Sequence, residues 1–182
     1  MNAALRLIAT GGALPGRTVT NEDLSRMVDT SDEWITTRTG IQTRHHCTTE
    51  THTDMCVGAA RQALENAGIS PEDIGACVVA TFSSDYLSPS AACMVQRGLG
   101  LPHDAVCFDL NAACSGFLFA IHTMECLMAQ APRKYGLVIG AEMLSRFINW
   151  EDRGTCGLFG DGAGAAVVEW REDYPSIHAV LG

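Results

Sequence analysis

Cys114 is the residue whose type and surroundings could do covalent chemistry. It sits in Asn111-Ala-Ala-Cys114-Ser-Gly116, between an apolar run over 105–110 and a second that begins at Phe117. The first run predicts a strand, and its nearly continuous apolar character predicts cover on both faces. The second, roughly 114–130, predicts a helix that is apolar almost all round and so buried at the centre of the fold. A thiol at that junction stands at a helix N-terminus. Free backbone N–H groups and the positive end of the helix dipole favour thiolate over thiol there. The small neighbours Ala112, Ala113, Ser115 and Gly116 leave room for a substrate to reach the sulfur. A free cysteine is most often a small buried apolar residue; the helix start and small flanks set this one apart. The chemistry implied is nucleophilic. A thiolate attacks an electrophilic carbonyl and expels its leaving group, leaving an acyl-enzyme. The Cys114 backbone N–H is placed to donate to the developing oxyanion.

Other residues that could join such a site are fewer. Trp34 and Arg38 stand four apart, so on a helix they share one face; alone, such a pair is an ordinary edge-of-core arrangement. His122 lies eight residues along the nucleophile helix, about 12 Å along its axis, and is out of hydrogen-bond reach of Cys114. His45, His46 and His52 fall in or beside a polar loop, and His103 and His178 near strand starts, so each reads as exposed or satisfied. Gly160-Asp-Gly-Ala-Gly164 precedes a strand and does not open a helix, which excludes a dinucleotide-binding fingerprint. Its glycines read as permitting tight turns and close packing.

The elements that must hold these residues follow from caps and periodicity. A first strand over 5–10 is closed by Gly11-Gly12 and Pro15. Thr20 caps a short helix reaching Asp29, and Ser31 caps a second one carrying Trp34. A helix over 53–67 stops at Gly68, and Pro71 opens a short turn. A buried strand over 76–82, a polar loop over 83–89 and a helix over 90–99 ending at Gly100 come next. Strands over 135–140 and 164–170 flank a helix over 143–148. Strands alternating with helices predict an α/β chain with a mostly parallel sheet. Residues 1–175 read as one domain, and 176–182 as the start of another apolar strand, an unexpected place for a natural terminus.

Composition limits the partners. Hydrophobic residues make up 47% and charged ones 18%, which suits a folded core and excludes a disordered chain. The longest apolar stretch, 112–128, is interrupted by His122 and Glu125 and is short for a membrane span. No basic start followed by an apolar run marks a signal peptide, so no membrane association and a cytoplasmic location are expected. Twelve basic against 21 acidic residues give a net charge of −9, which excludes nucleic acid as a partner. An acidic carrier protein would need a local basic patch or another surface to dock. Eight cysteines contain no C-x-x-C pair, so no metal site of the finger type is expected. Five of them (56, 77, 93, 107 and 126) lie in expected strands or helices and read as reduced, structural thiols.

The stretch Asp109-Leu-Asn-Ala-Ala-Cys114-Ser-Gly-Phe117 resembles the nucleophile segment of the β-ketoacyl-ACP synthase III family, within the thiolase-like condensing enzymes. Three more segments resemble that family, in family order. They are Met27-Val-Asp-Thr30-Ser-Asp-Glu-Trp34 with Arg38-Thr-Gly-Ile41, Asp152-Arg153-Gly-Thr155, and Phe159-Gly-Asp-Gly-Ala-Gly-Ala165. The resemblance implies one αβα lobe, with a mixed, mostly parallel sheet, of a two-lobed five-layered fold, and it covers the first half of the family only. It implies that Cys114 is acylated, that Trp34 and Arg153 stack on the adenine of coenzyme A, that Thr30 hydrogen-bonds the adenine and that Arg38 meets the phosphates. The 83–89 loop would approach the acyl pocket, partly across a dimer interface, with Ser88 where a bulkier apolar residue is common. The implied reaction condenses an acyl-CoA primer with malonyl-ACP to give β-ketoacyl-ACP, CO2 and CoA, in a homodimer, with no cofactor beyond the coenzyme A thioester substrate. A histidine and an asparagine complete the family triad; both come from its C-terminal half and have no counterpart here. Two other readings stay open: a related acyltransferase with a different donor or acceptor, and a non-catalytic half-subunit that binds a partner.

Overall fold

A computed structural model describes residues 4–172. The expected strand over 176–182 and His178 lie outside the described residues. The central sheet has five strands in the order β1-β7-β6-β4-β5: β1 (Ala4–Ala13), β4 (Ile74–Ala80), β5 (Val106–Leu110), β6 (Tyr135–Met143) and β7 (Asp161–Arg171). β4 pairs in parallel with both β5 and β6, whereas β7 runs against β6 and β1. Four of the five strands thus share a direction, giving the mixed, mostly parallel sheet that the alternating elements imply. A two-stranded antiparallel ribbon, β2 (Arg17–Thr20) with β3 (Thr43–His46), stands apart.

Two helical layers cover the sheet. In β4, Cys77 and Val79 point toward α3 (His52–Ala67) and α4 (Ala91–Leu99), and Ala76, Val78 and Ala80 toward α5 (Gly116–Met128). Successive strand residues face opposite ways, so one apolar strand feeds both cores. On the first side Ala59, Ala60 and Ala63 let α3 settle closely on the sheet. The approach is closest at Gly11, where an added Cβ would stand 2.4 Å from Ala59 O and Ala63 N. On the other side Ala120, Ile121, Met124 and Met128 of α5 pack on Leu5, Val138 and Val168. A small third core of Val19, Leu24 and Ile35 joins β2 to α1 (Asn21–Ser25) and α2 (Asp32–Thr39).

Local chemistry sets the helix ends. Thr20, Ser31, Thr51 and Ser90 each accept an N–H from the first turn of α1, α2, α3 and α4. α3 and α4 stop at Gly68 and Gly100, both left-handed.

Several expectations are corrected. The strand before Cys114 is covered only in part: Cys107 packs on one core and Phe108 and Leu110 on the other, but Val106 is 45% exposed and β5 is a sheet edge among the described residues. The helix after it is not buried all round, since Leu118 and Phe119 are 64% and 54% exposed. Residues 141–143 continue β6 because Ala141, Glu142 and Met143 pair with β7, and only a single 3-10 turn, Leu144–Arg146, follows. α1 ends at Ser25, short of Asp29. His45 and His46 lie in strand β3.

Candidate active site

β5 runs into a 3-10 turn, Ala113–Ser115, before α5 begins at Gly116. Ala113 has φ 46°, left-handed for a residue with a Cβ, at a cost of about 1–2 kcal/mol. Neither the turn nor α5 has a side-chain cap. The Ala113 N–H reaches Asn111 Oδ1 at 3.4 Å, and the Ser115 and Gly116 N–H groups donate to Ala112 O and Ala113 O; Cys114, exposed, lies within this turn. The sulfur lies in an open cleft of about 440 Å³ lined by Ala80, Cys114, Phe117, Ala141, Glu142 and Asp161, with small glycines between. This is the carboxyl-end rim of parallel β4, β5 and β6, where sheets of this type present their ligands.

Two carboxylates border the cleft, and both are held by donors. Asp161 accepts the Cys47 N–H at 2.7 Å, the Ser145 N–H at 2.8 Å and the Ser145 hydroxyl at 2.6 Å. Burial opposes its charge, but these donors outweigh it and keep the carboxyl below the usual range. Asp161 therefore ties β3's exit to the end of β6, and its glycine-rich segment is structural and opens β7. Glu142 accepts the Phe82 N–H at 3.2 Å and the hydroxyls of Thr81 and Ser83. Thr81 Oγ1 in turn meets Nε2 of His52, which is fully buried and also lies 3.1 Å from Ala141 O. A carbonyl only accepts, so Nε2 carries the proton and Nδ1 faces the Cys56 thiol at 3.6 Å. His52 is a satisfied core histidine.

Most other cysteines are poor nucleophiles. Burial pushes the Cys47 thiol up to about 12 and also raises Cys56 and Cys156. A hydrogen bond shared with Cys107, and then burial, raise Cys77. Among the described residues no group of three or more His, Cys, Asp or Glu could hold a metal ion, and no helix is long and apolar enough to cross a membrane.

A second constellation lies on α2. The guanidiniums of Arg38 and Arg153 stand 4.5 Å and 5.4 Å from the Trp34 ring centroid. Arg153 is also 3.6 Å from Asp29, a pair in which Asp29 is fully exposed. Thr30 Oγ1 is buried without a hydrogen-bond partner. The structure thus brings Trp34, Arg38 and Arg153 together. Ser88 is placed elsewhere: it is exposed in the 81–90 loop and does not line the Cys114 cleft.

Between the two constellations lies an apolar hollow lined by Phe82, Leu144, Phe147, Ile148, Thr155 and Phe159. One stretch therefore serves three places: Arg153 at Trp34, Thr155 and Phe159 in the hollow, and Gly160 and Asp161 in the cleft. Reading the sequence missed Phe117, Glu142 and Asp161 as cleft residues. Only Glu142, a lone acid closing the apolar run Tyr135–Met143, carried a signal that could have found it.

The family model described as 3-oxoacyl-[acyl-carrier-protein (ACP)] synthase III matches residues 108–182. A curated relative, β-ketoacyl-[acyl-carrier-protein] synthase III of Clostridium acetobutylicum, is 47% identical over 179 residues, covering 98% of this chain and 55% of the relative. The crystal structure of 3-oxoacyl-[acyl-carrier-protein] synthase III from Aquifex aeolicus superposes with a TM-score of 0.89 at 48% identity, covering 93% of this chain and 55% of that one. The priming β-ketosynthase of the R1128 polyketide biosynthetic pathway gives 0.88 at 37%, covering 94% and 51%. The chain spans about half the length of the curated relatives it matches. By sequence and by fold it belongs to the β-ketoacyl-[acyl-carrier-protein] synthase III family, and corresponds to the N-terminal portion of its members.

Proposed function

We propose that Cys114 accepts an acyl group from an acyl-CoA, and that the acyl-enzyme condenses with malonyl-ACP to give β-ketoacyl-ACP, CO2 and coenzyme A in fatty acid biosynthesis. The observation that carries this reading is the exposed thiol in an open cleft at an uncapped strand-to-helix junction. Its sulfur attacks the thioester carbonyl, and the thiolate of coenzyme A leaves. Coenzyme A enters as substrate, and this step calls on no resident cofactor. Decarboxylation and condensation need neutral donors around an enolate, and among the described residues no histidine lines the cleft. In the resemblance those donors are a histidine and an asparagine from the C-terminal half of family members.

The Trp34 face is the proposed seat of the adenine, with Thr30 offering a free hydroxyl and Arg38 a cation for phosphate. A base inserted between Trp34 and Arg153 needs two stacking distances, about 7 Å, so Arg153 must move outward from 5.4 Å. Its weak tie to exposed Asp29 permits that. The apolar hollow then suits the arm and acyl chain between nucleotide and sulfur. A homodimer is supported by the open edge of β5, whose unpaired backbone is a ready template for a second chain. A cytoplasmic setting is supported by eight free thiols.

The test is acylation. Intact mass and peptide mapping after incubation with acetyl-CoA should place the label on Cys114, and Cys114→Ala should remove it. Label that persists in the variant would sink the reading. Trp34→Ala and Arg153→Ala should raise KM for acyl-CoA several-fold to about 30-fold. A different acyl donor is the second reading, favoured by the likeness to a priming β-ketosynthase and by Ser88 lying outside the cleft. A donor panel of increasing chain length decides between them.

A further inference from the structure

Arg44 of β3 is a buried cation, only 6% exposed, and no carboxylate pairs with it among the described residues. Its partners are two carbonyls: Nη1 donates to Val19 O at 3.3 Å and Nη2 to Gly157 O at 2.9 Å, while Nε has no partner. Burying a charge without an opposite one is costly, and a structural need for two backbone contacts alone could be met more cheaply. The two carbonyls belong to different bodies. Val19 is in the small core with Ile35, the residue after Trp34 on α2. Gly157 ends the turn that carries Arg153.

That turn has few other ties to α2. Its own bonds are internal, from the Gly154 N–H and the Thr155 hydroxyl to Asp152. Beyond them, Arg153 reaches exposed Asp29 and stands 5.4 Å from the Trp34 ring centroid. Gly157 lies directly on Ile35: a Cβ there would stand 3.2 Å from Ile35 Cδ1. Three residues on, a Cβ at Gly160 would meet the Arg44 Cβ at 3.1 Å. Arg44 and Ile35 therefore fix the height of the turn above α2.

We propose that Arg44 is a positioning residue for the nucleotide end of the thioester, bridging Val19 O and Gly157 O so that Arg153 stands over Trp34. The proposal rests on the reading of the Trp34 face as the adenine seat. A planar fork can hold both carbonyls at once, whereas a lysine offers a single point of donors. Arg44→Lys keeps the charge and much of the stem but reaches one carbonyl only. Gly157→Ala lifts the turn off Ile35, and its carbonyl away from Arg44, while leaving the Arg44 side chain itself unchanged.

The experiment compares two acetyl donors at subsaturating concentration, with Cys114 acylation followed by mass. One is acetyl-CoA; the other is the acetyl thioester of N-acetylcysteamine, which has the sulfur and amide but no nucleotide. Wild type should prefer acetyl-CoA. Arg44→Lys should cut that preference at least fivefold, and Gly157→Ala about threefold, with Trp34→Ala as the reference for loss of the stack. A general loss of structure would slow both donors equally and leave the ratio unchanged, which overturns the positioning role. A ratio lowered by Trp34→Ala but by neither other variant overturns it too, and keeps the adenine seat. No preference in the wild type overturns the adenine seat itself.

Discussion

Two helix N-termini in this molecule are built in opposite ways. At the start of α3 every device for satisfying backbone donors is present. The Thr51 hydroxyl accepts the Asp54 N–H and the Asp54 carboxylate accepts the Thr51 N–H, a reciprocal capping box. Asp85, from the loop after β4, adds a second carboxylate that accepts the His52 and Thr53 N–H groups and the Thr53 hydroxyl. At the start of α5 none of this exists. No capping box or carboxylate is present: the Ala113 N–H meets Asn111 Oδ1 at a long 3.4 Å, Ala113 is held left-handed, and the next residue is the exposed Cys114. Donors left unsatisfied by the protein remain available to a developing oxyanion. One end is built for stability; on the proposed reading, the other is left open for a ligand.

The largest effect that would sharpen this contrast is chemical. Cys114→Ser should reduce acyl labelling more than 100-fold while the unfolding free energy from urea titration stays within about 0.5 kcal/mol of wild type, as for an exposed side chain. A large loss of stability would show that the junction is structural after all. Next comes Asp85. Burial works against its charge, but Arg146, Thr53 and His52 donate to it and hold it at about 2, against an ordinary 3.8. A carboxyl lowered on folding stabilises above its unfolded value, and that contribution fades as pH falls from about 4 to about 2. The expected loss is about 1–2 kcal/mol after allowance for solvent screening. Thermal melts from pH 5 down to pH 2 on wild type and Asp85→Asn should converge at the acid end. Curves that stay parallel would break the assignment.

Capping itself gives a smaller difference. Thr51→Ala should cost about 1 kcal/mol, and Ser115→Ala, at a position with no capping bond, less than about 0.5 kcal/mol. Equal costs in denaturant titrations would erase the distinction between the two ends. The smallest effect is at Ala113. Glycine there relieves the left-handed strain but adds unfolded-state entropy, so Ala113→Gly should move stability by no more than about 0.5 kcal/mol. A loss above about 1 kcal/mol would mean that the methyl group packs and the strain is not the controlling term.

How much of this was legible varies with the physics at each place. Thr20 and Ser31 were readable as caps because a short polar oxygen before an apolar run has one good use. Cys114 stood out because a thiol at a strand-to-helix junction is flanked by the small residues Ala112, Ala113, Ser115 and Gly116. β2 and β3 were missed because Arg17–Thr20 and Thr43–His46 show no apolar alternation. Their order comes from tertiary burial of Val19, Arg44 and His46. The expected helix over 143–148 was misread because Met and Leu favour helices in isolation, whereas Met143 pairs with Asp161 and only a single 3-10 turn follows. Leu118 and Phe119 show a different limit, since periodicity reports what is apolar and not what covers it. Arg44 was beyond reach, as it acts through the Gly157 carbonyl, more than a hundred residues away.

The pairing of β1 with β7 has a consequence in time. Among the described residues the only sheet neighbour of residues 4–13 is a strand at residues 161–171. On a ribosome moving at about 5–20 residues per second, the first strand waits roughly 8–30 s for its partner to be made. α3, which lies on β1 at Gly11, can form long before the sheet beneath it is closed. Such a delay places an apolar edge in the path of chaperones and of other nascent chains. Swapping synonymous codons to slow synthesis between residues 13 and 161 should therefore lower soluble yield without changing one atom of the product.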